Sequence, residues 1–202
     1  MRRILCLLAL TVGLSQTVLA EQIESAQAPS LAERTERVST LLAEKFGVAR
    51  AKADLIADAV MKSASKYQLP PSLVLAVITI ESRFREKARG ANGATGLMQV
   101  VPSSHRQLLR GVTDLTEPNA NIDAGSAILH GYVDSAGGDV EAGLRSYGGG
   151  KNYSAKVSNQ AKLFEANLGD DTPQQVSGVV TPASDTNAPP LVVGFPVSFE
   201  VQ

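Results

Sequence analysis

The chain has 202 residues, with 19 basic and 20 acidic side chains, 44% hydrophobic residues and a single cysteine. That length suits one domain of moderate size with tails, rather than two full domains, and is enough to bury a core. A near-neutral balance excludes nucleic-acid binding driven by charge, and the cysteine count excludes a disulfide framework.

The opening MRRILCLLALTVGLSQTVLA puts Arg2 and Arg3 ahead of an apolar run that closes on small residues. This is the layout of a cleavable secretory signal over residues 1–20, with cleavage expected after Ala20. The apolar run at 4–14 is too short to span a bilayer comfortably, and the polar Ser15, Gln16 and Thr17 end it. Cleavage removes Cys6 and leaves 17 basic against 20 acidic residues, so the mature chain carries no thiol and is mildly acidic. The expectation is a periplasmic or secreted protein with no integral membrane segment after cleavage and no affinity for nucleic acid.

The mature domain is read as 21–168, beginning with a helical part at 31–67. Ser30 is a candidate N-cap for a helix that repeats Leu31, Val38, Leu41, Leu42 and Phe46 on one face. A second helix puts Ala51, Leu55, Ile56, Ala59, Val60 and Ala64 on one face and charges on the other, stopping before Pro70 and Pro71. Those prolines suit the first turn of a third helix, whose Leu73, Val74, Leu75, Val77, Ile78 and Ile80 leave no polar face, so it is expected to be buried. The glycine-rich RGANGATGLMQV comes next, then a short helix over 102–111 opened by Pro102, and another with Ile122, Ala127, Ile128 and Tyr132 inward. VEAGLRSY and SAKVSNQAKLFEANL complete a mainly α body, separated by the loop GGGKN.

From Gly169 to Gln202 the chain is rich in Pro, Ser, Thr and Asp and loses helical period, which reads as a flexible, disordered tail. Its last stretch, PLVVGFPVSFEVQ, is apolar enough to dock on the domain or a partner; the alternative is that it packs against nothing in particular. No fixed-period repeat is present, which argues against a solenoid or propeller.

The third helix ends on an acid, Glu81. A carboxyl among apolar side chains is poorly solvated as an anion, so it can hold its proton and give it to a leaving group; an ordinary surface acid paired with Arg83 or Arg85 is the alternative. The segments ESRF, GATGLMQVVP, PNANIDAGSAIL and LRSYGGG, in this order and spacing, resemble the lysozyme-like catalytic domain of soluble lytic transglycosylases. The resemblance covers 69–168 and implies the helical fold shared by goose-type lysozymes and transglycosylases.

That family cuts the glycan strands of peptidoglycan between N-acetylmuramic acid and N-acetylglucosamine, and the resemblance puts its single catalytic acid/base at Glu81. Gly93, Ala94, Gly96, Leu97, Met98, Gln99 and Pro102 match the family's loop, which implies that Met98 and Gln99 line the sugar groove, although core packing is the default for a methionine. Ser82 either orients the acid or satisfies a backbone group at the helix end. Asn121 is a candidate helix cap, Gly125 a site of close helix packing, and Tyr147 matches a tyrosine that faces the acid and can bond it or substrate, with core burial as the alternative.

Gly148 departs from the family's usual Asn and Gly90 from a common Ser, each removing a polar group near the groove. No matched motif places a second carboxylate; Glu86 is expected to be solvated. One acid suffices for a transglycosylase, because the sugar's own 6-hydroxyl attacks the anomeric carbon and leaves a 1,6-anhydromuramoyl end. No cofactor is implied, and His105 and His130, on separate predicted helices without cysteine support, do not make a metal site. A goose-type hydrolase and a catalytically weak peptidoglycan-binding scaffold remain alternatives, and an envelope-spanning secretion or pilus assembly machine is a candidate partner.

Overall fold

A computed structural model of the protein describes residues 29–169; the signal-like segment and the tail from residue 170 onward lie outside the described residues. Helix α1, Leu31–Phe46, starts at a reciprocal cap in which the Glu33 N–H donates to Ser30 Oγ at 3.2 Å and the Ser30 N–H donates to the Glu33 carboxylate at 2.7 Å. It ends on left-handed Gly47 and turns into α2, Arg50–Tyr67. Helix α3 spans Pro71–Ser82, with Pro71 in the first turn.

Helices α4, Pro118–Ser135, α5, Val140–Gly148, and α6, Lys151–Leu168, complete the chain order, and α5 is capped by Asp139 Oδ1 accepting from the Ala142 N–H at 3.0 Å. Helix α1 packs on α2, α2 on α4, α4 on α5, α5 on α6, and α6 on α1. This ring encloses α3, which packs on α2 and α6. Enclosure explains the helix without a polar face. Val74, Leu75, Val77 and Ile78 are fully buried, each contributing about 1.5–3 kcal/mol of apolar burial.

Three boundaries differ from the sequence expectations. Residues 102–111 form a run of turns, not a helix, because so little of the segment finds a core: Leu109 packs inward while Leu108 stays 44% exposed. Helix α4 begins at Pro118, which places Asn121 inside its first turns, fully buried, and leaves Glu117 at the cap position. Helix α6 begins at Lys151 and so takes in Tyr153. No described helix is long and apolar enough to cross a membrane.

Candidate active site

Glu81 is the penultimate residue of α3, half-buried where the helix emerges from the ring. The chain then reverses through two successive left-handed residues, Arg83 (φ 52°) and Phe84 (φ 61°). Residues with a Cβ pay roughly 1–2 kcal/mol each for that conformation. Packing holds the turn: the Phe84 ring is buried and meets Phe46 at 5.0 Å, and Phe46 stacks on Phe164 at 5.5 Å. The end of α3, and with it Glu81, is therefore fixed by an aromatic anchor beneath the turn.

The glycine-rich loop beyond this turn is stitched by backbone pairing of Thr95 with Val100, two N–H to carbonyl bonds of 3.0 Å, and by the Gly96 N–H donating to Ala88 O at 2.9 Å. Asn121 locks it to α4. Its Oδ1 accepts from the Met98 N–H at 2.7 Å, and its Nδ2 donates to the Thr95 and Leu115 carbonyls, both at 2.8 Å. Gly96 is left-handed (φ 82°), and a Cβ there would lie 2.2 Å from the Asn121 amide. The glycine in this loop is thus required by the residue that holds it.

Of the two residues expected to line the groove, Met98 lies wholly inside the core, while Gln99 remains part-exposed. Met98 is fully buried; a Cβ on Gly125 would stand 2.6 Å from its side chain, so Gly125 provides the room that lets Met98 plug the loop into α4. Gln99 turns its amide inward, Nε2 donating to Gly96 O at 3.0 Å and Ala88 O at 3.3 Å. Its Oε1 occupies the space a Cβ on Gly90 would take, 2.3 Å away, so the glycine in place of serine makes room for the folded-back glutamine. Ser82 is buried and donates to Ile78 O at 3.2 Å, satisfying the helix end without touching the acid. Asn121 acts as a bridge between segments, because a fully buried amide inside a helix must spend its bonds on neighbouring backbone.

Tyr147, expected to face the acid, lies near enough for the Glu81 charge to act on it, and its hydroxyl donates to Met98 O at 2.8 Å. The group that reaches Glu81 is Tyr153, whose hydroxyl donates to Glu81 Oε1 at 2.7 Å. Its ring stacks on Tyr147 at 6.5 Å and lies where a side chain at 148 would be, with a Cβ on Gly148 falling 2.3 Å from three ring carbons. The glycine that departs from the family pattern thus makes room for the tyrosine that holds the acid. A sequence signal for Tyr153 exists: it is the one aromatic between the glycine run and the hydrophobic positions of α6.

Burial pushes the Glu81 carboxyl above its ordinary value, and the Tyr153 hydrogen bond opposes this in part. Among the described residues, burial and this hydrogen bond are the causes that act on the Glu81 carboxyl. Burial and the nearby Glu81 also raise both tyrosines, Tyr153 further through its hydrogen bond to Glu81, which keeps the hydroxyls protonated as donors. With Tyr153 donating to Oε1, the proton of the neutral acid sits on Oε2, which has no protein partner among the described residues. Rings continue outward from Tyr147 to Tyr132 at 6.4 Å and from Tyr132 to His105 at 6.3 Å. Glu86, expected to be solvated, is half-buried and paired with Lys52 at 3.0 Å. Among the described residues no group of His, Asp and Glu is arranged to hold a metal ion.

A central buried helix ending on one acid, beside a glycine-rich loop and inside a ring of helices, is the lysozyme-like helical architecture. The chain belongs to the transglycosylase SLT domain family, whose model matches residues 58–168. It is 34% identical over 132 residues to a transglycosylase of Enterobacteria phage PRD1, covering 60% of this chain and 46% of that one. It is also 34% identical over 119 residues to membrane-bound lytic murein transglycosylase C of Yersinia pestis, covering 51% of this chain and 33% of that one. The chain thus spans less than half the length of these curated relatives. The fold matches the X-ray structure of an inactive mutant of lytic transglycosylase Slt from Pseudomonas aeruginosa, with a TM-score of 0.53 and 21% identity over 66% of this chain and 26% of that one.

Proposed function

We propose that this domain is a peptidoglycan lytic transglycosylase that cuts the β-1,4 bond between N-acetylmuramic acid and N-acetylglucosamine, with Glu81 as its single acid and base. The state of the Glu81 carboxyl carries the reading: burial raises it, Tyr153 holds one oxygen, and among the described residues the other oxygen is open and no second acid acts on the group. The names of the phage and Yersinia relatives support the same class of reaction.

In the first step the Oε2 proton passes to the glycosidic oxygen as its bond to the muramic C1 breaks. The resulting carboxylate takes the proton of that sugar's 6-hydroxyl while its oxygen closes on C1. No water is consumed, Glu81 regains its proton, and the product is a 1,6-anhydromuramoyl end. Tyr153 stays on Oε1 throughout and stabilises the carboxylate stage by a charge-assisted hydrogen bond. The half-buried rings from Tyr153 to His105 offer apolar faces on which sugar rings can pack. A substrate outside the cytoplasm agrees with the signal-like opening residues.

Mass spectrometry of purified glycan after incubation with wild type and with Glu81→Gln tests the proposal. Anhydromuramoyl products from wild type alone are expected. Reducing ends one water heavier would instead assign a goose-type hydrolase, and equal products from both proteins would remove Glu81 from the chemistry.

A further inference from the structure

The family model matches residues 58–168, so the whole of α1 and the first part of α2 stand outside it. Helix α1 is nevertheless built into the domain. Val38 and Leu42 are fully buried, the Ser39 hydroxyl donates to the Asp54 carboxylate of α2, and Arg50 of α2 reaches back to Glu36 while its Nε donates to Asp54 at 2.9 Å. The buried pair supplies the adhesion, since exposed ion pairs add little, and the polar bonds fix the register of α1 along α2.

That register decides where the end of α1 stands. Gly47 is left-handed (φ 65°) and the Val48 N–H donates to Leu42 O at 3.2 Å, so the chain leaves α1 abruptly and Phe46 is held in its final turn. The Phe46 ring meets Phe84 edge-on at 5.0 Å and stacks on Phe164 of α6 at 5.5 Å. These two rings belong to the segments that build the candidate site. Phe84 is the second left-handed residue of the turn that follows Glu81, and α6 carries Tyr153, whose hydroxyl holds Glu81. Phe46 therefore stands between the turn that closes the acid's helix and the helix that holds the acid.

Main-chain bonds alone hold that turn weakly. The Arg83 N–H is shared between the Ile78 and Thr79 carbonyls, both at 3.2 Å, and the Arg85 N–H donates to Ser82 O at 3.2 Å, all at the long end of the hydrogen-bond range. Two successive left-handed residues with side chains then depend on the packing of the Phe84 ring, and Phe46 is what that ring packs on. We infer that Phe46 is a positioning residue of the active site: seated by α1, it holds the Phe84 turn against α6 and so keeps Glu81 within reach of Tyr153. With Glu81 as the acid, the reading on which this inference rests, the functional unit begins at α1 rather than at residue 58.

The test uses the full chain with Phe46→Ala, with Phe46→Tyr, which keeps the ring, and with Val38→Ala, which loosens α1 packing at a buried position away from the turn. Phe46→Leu, which keeps apolar bulk but neither ring contact, serves if Phe46→Ala does not fold, with the same direction of change expected. Rates on purified peptidoglycan are measured at a temperature where helical circular dichroism shows every variant folded. Phe46→Ala should lower kcat about ten- to a hundred-fold with KM nearly unchanged, because a displaced acid costs the transition state more than the bound substrate. Phe46→Tyr should retain the wild-type rate, and Val38→Ala should stay within about two-fold of it. Backbone hydrogen exchange read by mass spectrometry needs no turnover: Phe46→Ala should speed exchange about ten-fold at 83–88 while α4 and α5 keep their wild-type rates, and Val38→Ala should show no such focus. A kcat for Phe46→Ala within about two-fold of wild type, or an equal loss in Val38→Ala, would overturn the inference. Focused exchange without anhydro products from wild type would sink the transglycosylase reading and leave the positioning of Glu81 by Phe46 standing; anhydro products with exchange and kcat unchanged by Phe46→Ala would do the reverse.

Discussion

Replacing Asn121 tests whether one buried amide holds the loop beside the acid. Asn121→Ala strands the Met98 N–H, whose only acceptor among the described residues is Asn121 Oδ1, and a buried donor without a partner costs about 1–3 kcal/mol. The Thr95 carbonyl keeps its bond from the Val100 N–H, and the Leu115 carbonyl loses the amide; each lost neutral bond adds about 0.5–1.5 kcal/mol. The expected loss is about 2–6 kcal/mol, a large part of the about 5–15 kcal/mol typical of a domain. Because the chain has no tryptophan, urea unfolding followed by far-UV circular dichroism of the helices is the suitable assay. Asn121→Asp supplies the internal control. It keeps an acceptor for Met98 but turns an oxygen toward two carbonyls, so it should be unstable at neutral pH and recover in acid, where a protonated Oδ2 can donate to one of them. A loss below about 0.5 kcal/mol for Asn121→Ala, the range of an ordinary surface substitution, would refute the bridging role.

Glu81→Gln should stabilise the fold at about pH 7: burial raises the folded carboxyl above its ordinary 4.5, so the unfolded chain ionises first and wild-type stability falls as pH rises from there through the folded value. Below about pH 4 the two proteins should unfold at nearly the same urea concentration, and equal stability at both pH values would contradict the burial of the acid. Tyr153→Phe removes the bond that lowers the Glu81 pKa, so the alkaline limb of kcat/KM should move to higher pH while kcat drops about ten- to a hundred-fold. An alkaline limb moved to lower pH would show that the hydroxyl does not serve the carboxylate. Gly148→Asn, which places atoms inside the Tyr153 ring, should cost about 1–3 kcal/mol and shift the pH profile as Tyr153→Phe does; retention of the wild-type profile would mean that Tyr153 finds another route to Glu81.

The helices were legible because their signals are local. Ser30 and Glu33 three residues apart specify a cap, Pro70 and Pro71 a helix start, and the unbroken apolar run from Leu73 a helix with no exposed face. Glu81 was legible as an exception to that run. What escaped were roles set by what lies across the fold. Nothing around Asn121 indicates that its amide will span the loop at 95–98 and the carbonyl of Leu115, and a polar residue near a helix start defaults to a cap. Tyr147 and Tyr153 are six residues apart in one glycine-rich stretch, and which of them meets the acid depends on the register of α6 along α3. The Ser72 hydroxyl bond to Glu165 at 3.2 Å helps to fix that register by tying the far end of α6 to the start of α3.

The two glycines that depart from the family pattern acquire a common physical meaning. A side chain absent at 148 leaves room for Tyr153, and one absent at 90 leaves room for Gln99. In each case a polar group from elsewhere in the chain fills the vacated space: a hydroxyl on the acid at one position, an amide on two loop carbonyls at the other. The departures therefore do not empty the surroundings of Glu81. They exchange one way of holding the acid and its loop for another, so each glycine and its occupant should behave as a unit. Double-mutant cycles pairing Gly148→Asn with Tyr153→Phe address this directly: steric conflict at the ring predicts a combined loss well short of the sum, whereas additive losses would mean that the two positions act independently.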